Sequence, residues 1–221
     1  MNKIFGTRGL LTFLAASSSA FAQNQPATTS LRPEITISVH DYAGVPASLL
    51  AAAEGHARGI FRNAGLATVW LNCGPKLESI EPKTCYITDA THLTFKILPH
   101  AISSQARNRN EVLGTALLDE KGTGYFAYAF YDRVRRLADD QGLGYALLGA
   151  VLAHETGHLL LGSNSHSLTG IMSAHWEYKE LANISKSAMT FVSAQSKIIQ
   201  DRLKIPQPER TRQPDVVGAA L

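Results

Sequence analysis

Long apolar runs are missing from this 221-residue chain. None approaches the roughly 20 residues a membrane-spanning helix needs, which excludes a helical membrane span. A basic stripe interleaved with aromatics is missing too: aromatics make up 8% of the chain, and its arginines and lysines are scattered. That excludes a nucleic-acid reader. Internal repeats are absent, and cysteine is scarce, with only Cys73 and Cys85. Two cysteines can form one disulfide, so a hydrophobic core must hold the fold. With 45% hydrophobic and 18% charged residues, one globular domain is the expectation.

The first 22 residues have the three parts of a secretory signal peptide. Lys3 and Arg8 form a basic start, Gly9 to Ala16 is apolar, and Ala20-Phe21-Ala22 is a small-x-small cleavage site. The apolar part is too short to remain as a membrane anchor, so a secreted or periplasmic protein is expected. Cleavage after Ala22 removes both basic residues and lowers the formal net charge from +3 to +1. In an oxidising compartment Cys73 and Cys85 would pair, closing the loop 74–84 with Pro75 and Pro82 inside; free or metal-binding thiols are the alternative.

Residues 23–33 are polar and aperiodic and read as a flexible leader. From there to residue 205 the pattern is that of an α+β domain. Ile35, Ile37 and Val39 alternate with polar residues over 34–40, a strand; Pro46 opens a helix that Gly65 can close. Strands are expected at 66–71, 91–98, 112–118 and 125–131, with Ser103–Asn110 a polar loop. A helix begins near Asp132, and Gly142 and Gly144 separate it from a second over about 143–161. Residues 163–174 read as irregular and 184–203 as a last helix carrying Met189, Val192, Ile198 and Ile199; the proline-containing 206–221 reads as a disordered tail.

The chemistry lies in His154-Glu155-Thr156-Gly157-His158. On a helix, residues four apart stand one above the other, so both imidazoles can reach one metal ion, with Glu155 about 100° round the helix beside it. Two ligands and a base in this spacing are the mark of a zinc peptidase helix. A catalytic zinc takes a third protein ligand. Gly162 can end the helix, His166 follows four residues later, and Met172 six beyond that. Glu177, Glu180 and His175 compete with His166 for the third place. Gly157 is expected to matter sterically, against a neighbouring strand or the Met172 turn. His40, His56, His92 and His100 lack ligand spacing and are expected to be structural or exposed.

With these residues in place, the chain resembles the metzincins, zinc peptidases whose extended histidine motif is followed by a methionine turn under the metal. The usual form is H-E-x-x-H-x-x-G-x-x-H. Here the glycine falls one position late and the last histidine two late, with Asn164 at the usual third-ligand position and Ala174 where some members carry a tyrosine. The resemblance implies a mixed, twisted sheet of about five strands with packed helices. It also implies Zn2+ on His154, His158 and His166, Glu155 as general base, Met172 as the turn methionine, and a protein or peptide substrate along the edge strand 112–118. No cysteine precedes the first strand, so no cysteine switch is expected. The function implied is a secreted zinc endopeptidase; the alternative is a non-catalytic extracellular binding protein that keeps zinc as a staple.

Overall fold

The structure, a computed structural model, describes residues 32–74, 85, 89, 91–101 and 112–204. The expected signal peptide, most of the leader, the polar loop at 103–110 and the tail lie outside the described residues.

β1 (Glu34–Asp41) forms where apolar and polar residues alternate, and Ile35, Ile37 and Val39 are all buried. α1 (Ala47–Asn63) starts after Pro46 and buries Leu50, Ala53, Ala57, Ile60 and Phe61. Gly65 then turns the chain at a φ of +81°, a region that L side chains rarely adopt. β2 (Ala67–Cys73), β3 (His92–Leu98), β4 (Gly114–Leu117) and β5 (Phe126–Phe130) follow. Then come α2 (Tyr131–Gln141), α3 (Tyr145–Leu161), α4 (Tyr178–Ser185) and α5 (Ser193–Lys204).

The strands form one five-stranded sheet in the order β2-β1-β3-β5-β4. β1 is parallel to β2 and β3, and β3 to β5; only β4 runs antiparallel, on the edge beside β5. The α+β class and the mixed five-stranded sheet agree with the expectation. Register explains how the sheet receives α3. Val39, Phe95, Ala127 and Ala116 share one row, and Ile97, Ala129 and Gly114 the next. Side chains shrink toward β4, which leaves room for a helix over that end.

α3 fills that room. Every residue from Ala146 to Ala153 is buried, as in a helix packed on all sides. It crosses α1 closely: a Cβ on Gly149 would stand 2.5 Å from the Ala53 carbonyl oxygen and 2.8 Å from the His56 Cβ. Among the described residues no helix is long and apolar enough to cross a membrane.

The last expected helix is corrected. Residues 184–203 do not form one helix: α4 ends at Ser185, Ser187 takes a φ of +54°, and α5 starts only at Ser193. The apolar spacing of Met189 and Val192 arises in a connecting segment, where the Thr190 carbonyl accepts the Ile171 N–H at 2.8 Å. α4 buries only Leu181 and Ile184, too few to give a periodic signal, and escapes sequence reading.

Cys73 and Cys85 form a disulfide with Cα atoms 6.0 Å apart and a sequence separation of 12. Closing a loop of that length restrains the unfolded chain by about 3 kcal/mol. Reduction, or Cys73→Ser with Cys85→Ser, should lower unfolding stability by that order, read as a shift of the urea midpoint.

Candidate metal centre

α3 carries His154, Glu155 and His158 on consecutive turns and stops at Gly162, whose φ of +83° turns the chain back. Four residues later His166 arrives from the loop. The structure brings His154, His158 and His166 together, with one candidate ligand atom from each all within 4.8 Å of one another. It does not bring the competitors into that group. Glu177 caps α4, and the Glu180 carboxylate accepts the Glu177 N–H at 3.2 Å in a reciprocal capping box. His175 lines the cleft and its charge opposes that of His166.

The hydrogen bonds around the imidazoles select their metal-facing nitrogens. The Ile171 carbonyl can only accept, so the His154 Nδ1–H donates to it at 2.7 Å and Nε2 is left with a bare lone pair. The His158 Nε2 faces that lone pair at 3.1 Å, while its Nδ1 stands 2.7 Å from the Ser165 hydroxyl. Two imidazole nitrogens on one tetrahedral zinc stand about 3.3 Å apart, from bond lengths of about 2.0–2.1 Å. The residues therefore fit the ion. A three-histidine set is the donor chemistry of a zinc site with one position left open.

Met172 is fully buried in a turn held by the Ser173 N–H to the Gly170 carbonyl at 3.0 Å. Gly157 is what lets it approach: a Cβ there would stand 2.5 Å from the Met172 Sδ and 2.9 Å from Phe191. Gly157→Ala is expected to cost about 1–3 kcal/mol by overpacking and to lower zinc affinity as the turn shifts, read by thermal unfolding and chelator competition. On the sheet side Gly114 does the same for Glu155, since a Cβ there would meet the Glu155 Cγ and Oε1 at 2.8 Å. Trp176 stands edge-on to His154 with ring centroids 5.4 Å apart. Ser165, the Ile171 carbonyl, Gly114 and Trp176 all escaped sequence reading, because each reaches the site through space. The one local signal was the position of Ser165, directly before His166.

The ligands open into a cleft of about 1230 Å³. β4 forms one wall and Ser173–Glu177 the other, with Arg133, Arg136 and Leu137 of α2 at the end. His40, His56, His92 and His100 stand outside it; the first three are buried, and His100 pairs with Asp132 on the surface.

No protein-family model matches the chain, and no curated protein does. Among solved structures, archaemetzincin from Methanopyrus kandleri is similar at 16% identity, covering 78% of this chain and 97% of that one, with a TM-score of 0.49. A zinc-dependent peptidase from Methanocorpusculum labreanum is similar at 14% identity, covering 74% and 99%, with a TM-score of 0.48. The case for a metal here is carried by the donor geometry.

Burial sets the charge states of the metal-free site. It holds His154 down to about 4 and His158 to about 3, the latter helped by the neighbouring imidazoles, and it lowers His166 as well. All three are neutral near pH 7 and offer lone pairs. Burial also pushes Glu155 up to about 8. Without metal, unfolding lets His154 and His158 take up protons below their ordinary value of 6.5, so stability is lost as pH falls from there toward 4 and 3. Unfolding frees the Glu155 proton above its ordinary value of 4.5, so stability is also lost as pH rises from there through about 8. Glu155→Gln should remove only the loss that accompanies rising pH between 4.5 and about 8, worth at most about 5 kcal/mol, in urea unfolding of metal-free protein.

Proposed function

We propose that this protein is an exported, metzincin-like zinc endopeptidase, with His154, His158 and His166 as the ligands and Glu155 as the general base. The observation that carries the reading is the convergence of three imidazole donors within 4.8 Å, with a buried carboxylate beside them on the same helix. A purely structural zinc staple has no use for that carboxylate, which favours an enzyme over a binding protein. Export is supported by the signal-like residues 1–22 and by the Cys73–Cys85 disulfide.

When bound, zinc supplies Lewis acidity and lowers the pKa of water toward about 7, and neutral imidazoles leave its charge undiminished. The rest of the chemistry is done by residues of this chain. The Ile171 carbonyl and the Ser165 hydroxyl hold the two helix imidazoles with Nε2 inward. A Glu155 carboxylate oxygen accepts a proton from water as the water oxygen attacks the peptide carbonyl carbon. It returns that proton to the departing amine nitrogen as the C–N bond breaks, so one water and one peptide bond give a carboxylic acid and an amine. β4 offers its outer edge along the cleft, and a peptide can add there as an antiparallel strand.

The test is a mixed peptide library incubated with the mature, zinc-loaded protein and with the same protein after chelation. Internal cleavage with zinc, lost on chelation and restored by zinc, is the expected result. Tight zinc binding without any cleavage would leave a zinc-stapled binding protein as the better reading.

A further inference from the structure

The loop that delivers His166 is two residues longer than the usual metzincin spacing, and something must hold it in place. A buried side chain from the far end of the chain does so. Gln195, in the first turn of α5, is 8% exposed. Its amide nitrogen donates to the Ser165 carbonyl at 2.9 Å, across 30 residues of sequence, and its amide oxygen accepts the Val192 N–H at 3.3 Å. With both ends engaged, the amide has one orientation. Ser165 in turn stands with its hydroxyl 2.7 Å from the His158 Nδ1, and it directly precedes His166. Ser165 thus links one ligand through its hydroxyl and the next through the peptide chain, while its carbonyl is held by Gln195.

We propose that Gln195 is a positioning residue of the metal centre: by fixing Ser165 it orients the His158 imidazole and seats His166, which makes α5 part of the site. The proposal rests on the metal-centre reading above. Gln195 touches neither metal nor substrate; it acts through Ser165. Elsewhere along α5 the Arg202 guanidinium donates to the Leu160 carbonyl of α3 at 3.0 Å, and the Gln200 amide donates to the Ala64 carbonyl at 2.8 Å on the α1 side. The Gln200 contact supplies the control.

The experiment measures zinc dissociation constants by competition with a chromophoric chelator, and visible spectra of the cobalt-substituted protein. It covers wild type, Ser165→Ala, Gln195→Leu, Gln195→Glu, the Ser165→Ala/Gln195→Leu double variant, and Gln200→Ala. Ser165→Ala and Gln195→Leu should each weaken zinc by about tenfold or more, as loss of a ligand's hydrogen-bonding partner does elsewhere. Gln195→Glu keeps the shape and the acceptor for Val192 but loses the donor, so it should behave like Gln195→Leu. The double variant should fall short of the product of the singles, because both act on one segment. The cobalt bands of both Gln195 variants should shift. Gln200→Ala should lower the unfolding temperature and leave affinity and spectrum as in wild type. Wild-type affinity and spectrum in the Gln195 variants, or fully multiplicative losses in the double, would overturn the role of Gln195 and leave the metal centre standing. A wild-type protein that binds no zinc would overturn the metal-centre reading itself, and this proposal with it.

Discussion

Glu155→Gln protein is expected to bind zinc about as tightly as wild type and to cleave peptides about 100- to 10,000-fold more slowly. That range is what a positioned general base contributes. The residue stands beside the ligands, 7% exposed, with Gly114 leaving space for its side chain. Glutamine keeps nearly the same volume, so the cleft and the three imidazoles stay as they are. What is lost is the ability to take a proton from water. The metal-free carboxyl is held up to about 8 by burial alone, and a cation within a few ångströms acts the other way, favouring the ionised form a base needs. The loss should therefore appear in kcat. A variant that retains wild-type turnover would remove Glu155 from the chemistry.

The second large effect concerns the third ligand. His166→Ala should weaken zinc by more than about 100-fold, beyond the 10- to 100-fold range typical of a ligand's supporting partners. Glu177→Ala and Glu180→Ala should leave zinc affinity alone and cost about 0.5–2 kcal/mol of stability, because these two carboxylates cap α4. Chelator competition separates the two outcomes. Zinc held more weakly by the Glu177 or Glu180 variant than by His166→Ala would reassign the ligand.

How much of this could be read from the sequence depends on how local each feature is. β1 and α1 were legible because their apolar residues repeat at periods of two and 3.6, and Pro46 and Gly65 punctuate the helix. His154, Glu155 and His158 were legible because a helix converts sequence spacing directly into a shared face. His166 took one further step, the helix stop at Gly162. The split between α4 and α5 was not legible: the bond from the Ile171 N–H to the Thr190 carbonyl depends on the chain returning past the turn at Met172. Nor were Gln195 and the Ile171 carbonyl, which lie 37 and 13 residues beyond His158 and meet the site only after folding. Gly157 is intermediate: its steric role was foreseeable, but the contact with the Met172 Sδ required the fold.

The most direct test of the central claim, that these three histidines hold one catalytic zinc, is the zinc-edge X-ray absorption spectrum of mature protein loaded with one equivalent of zinc. The expected spectrum has three imidazole nitrogens at about 2.0–2.1 Å and one oxygen ligand at about the same distance, and it loses one imidazole in His166→Ala. Two imidazoles in wild type, a carboxylate in the third place, or no zinc retained at all would contradict it.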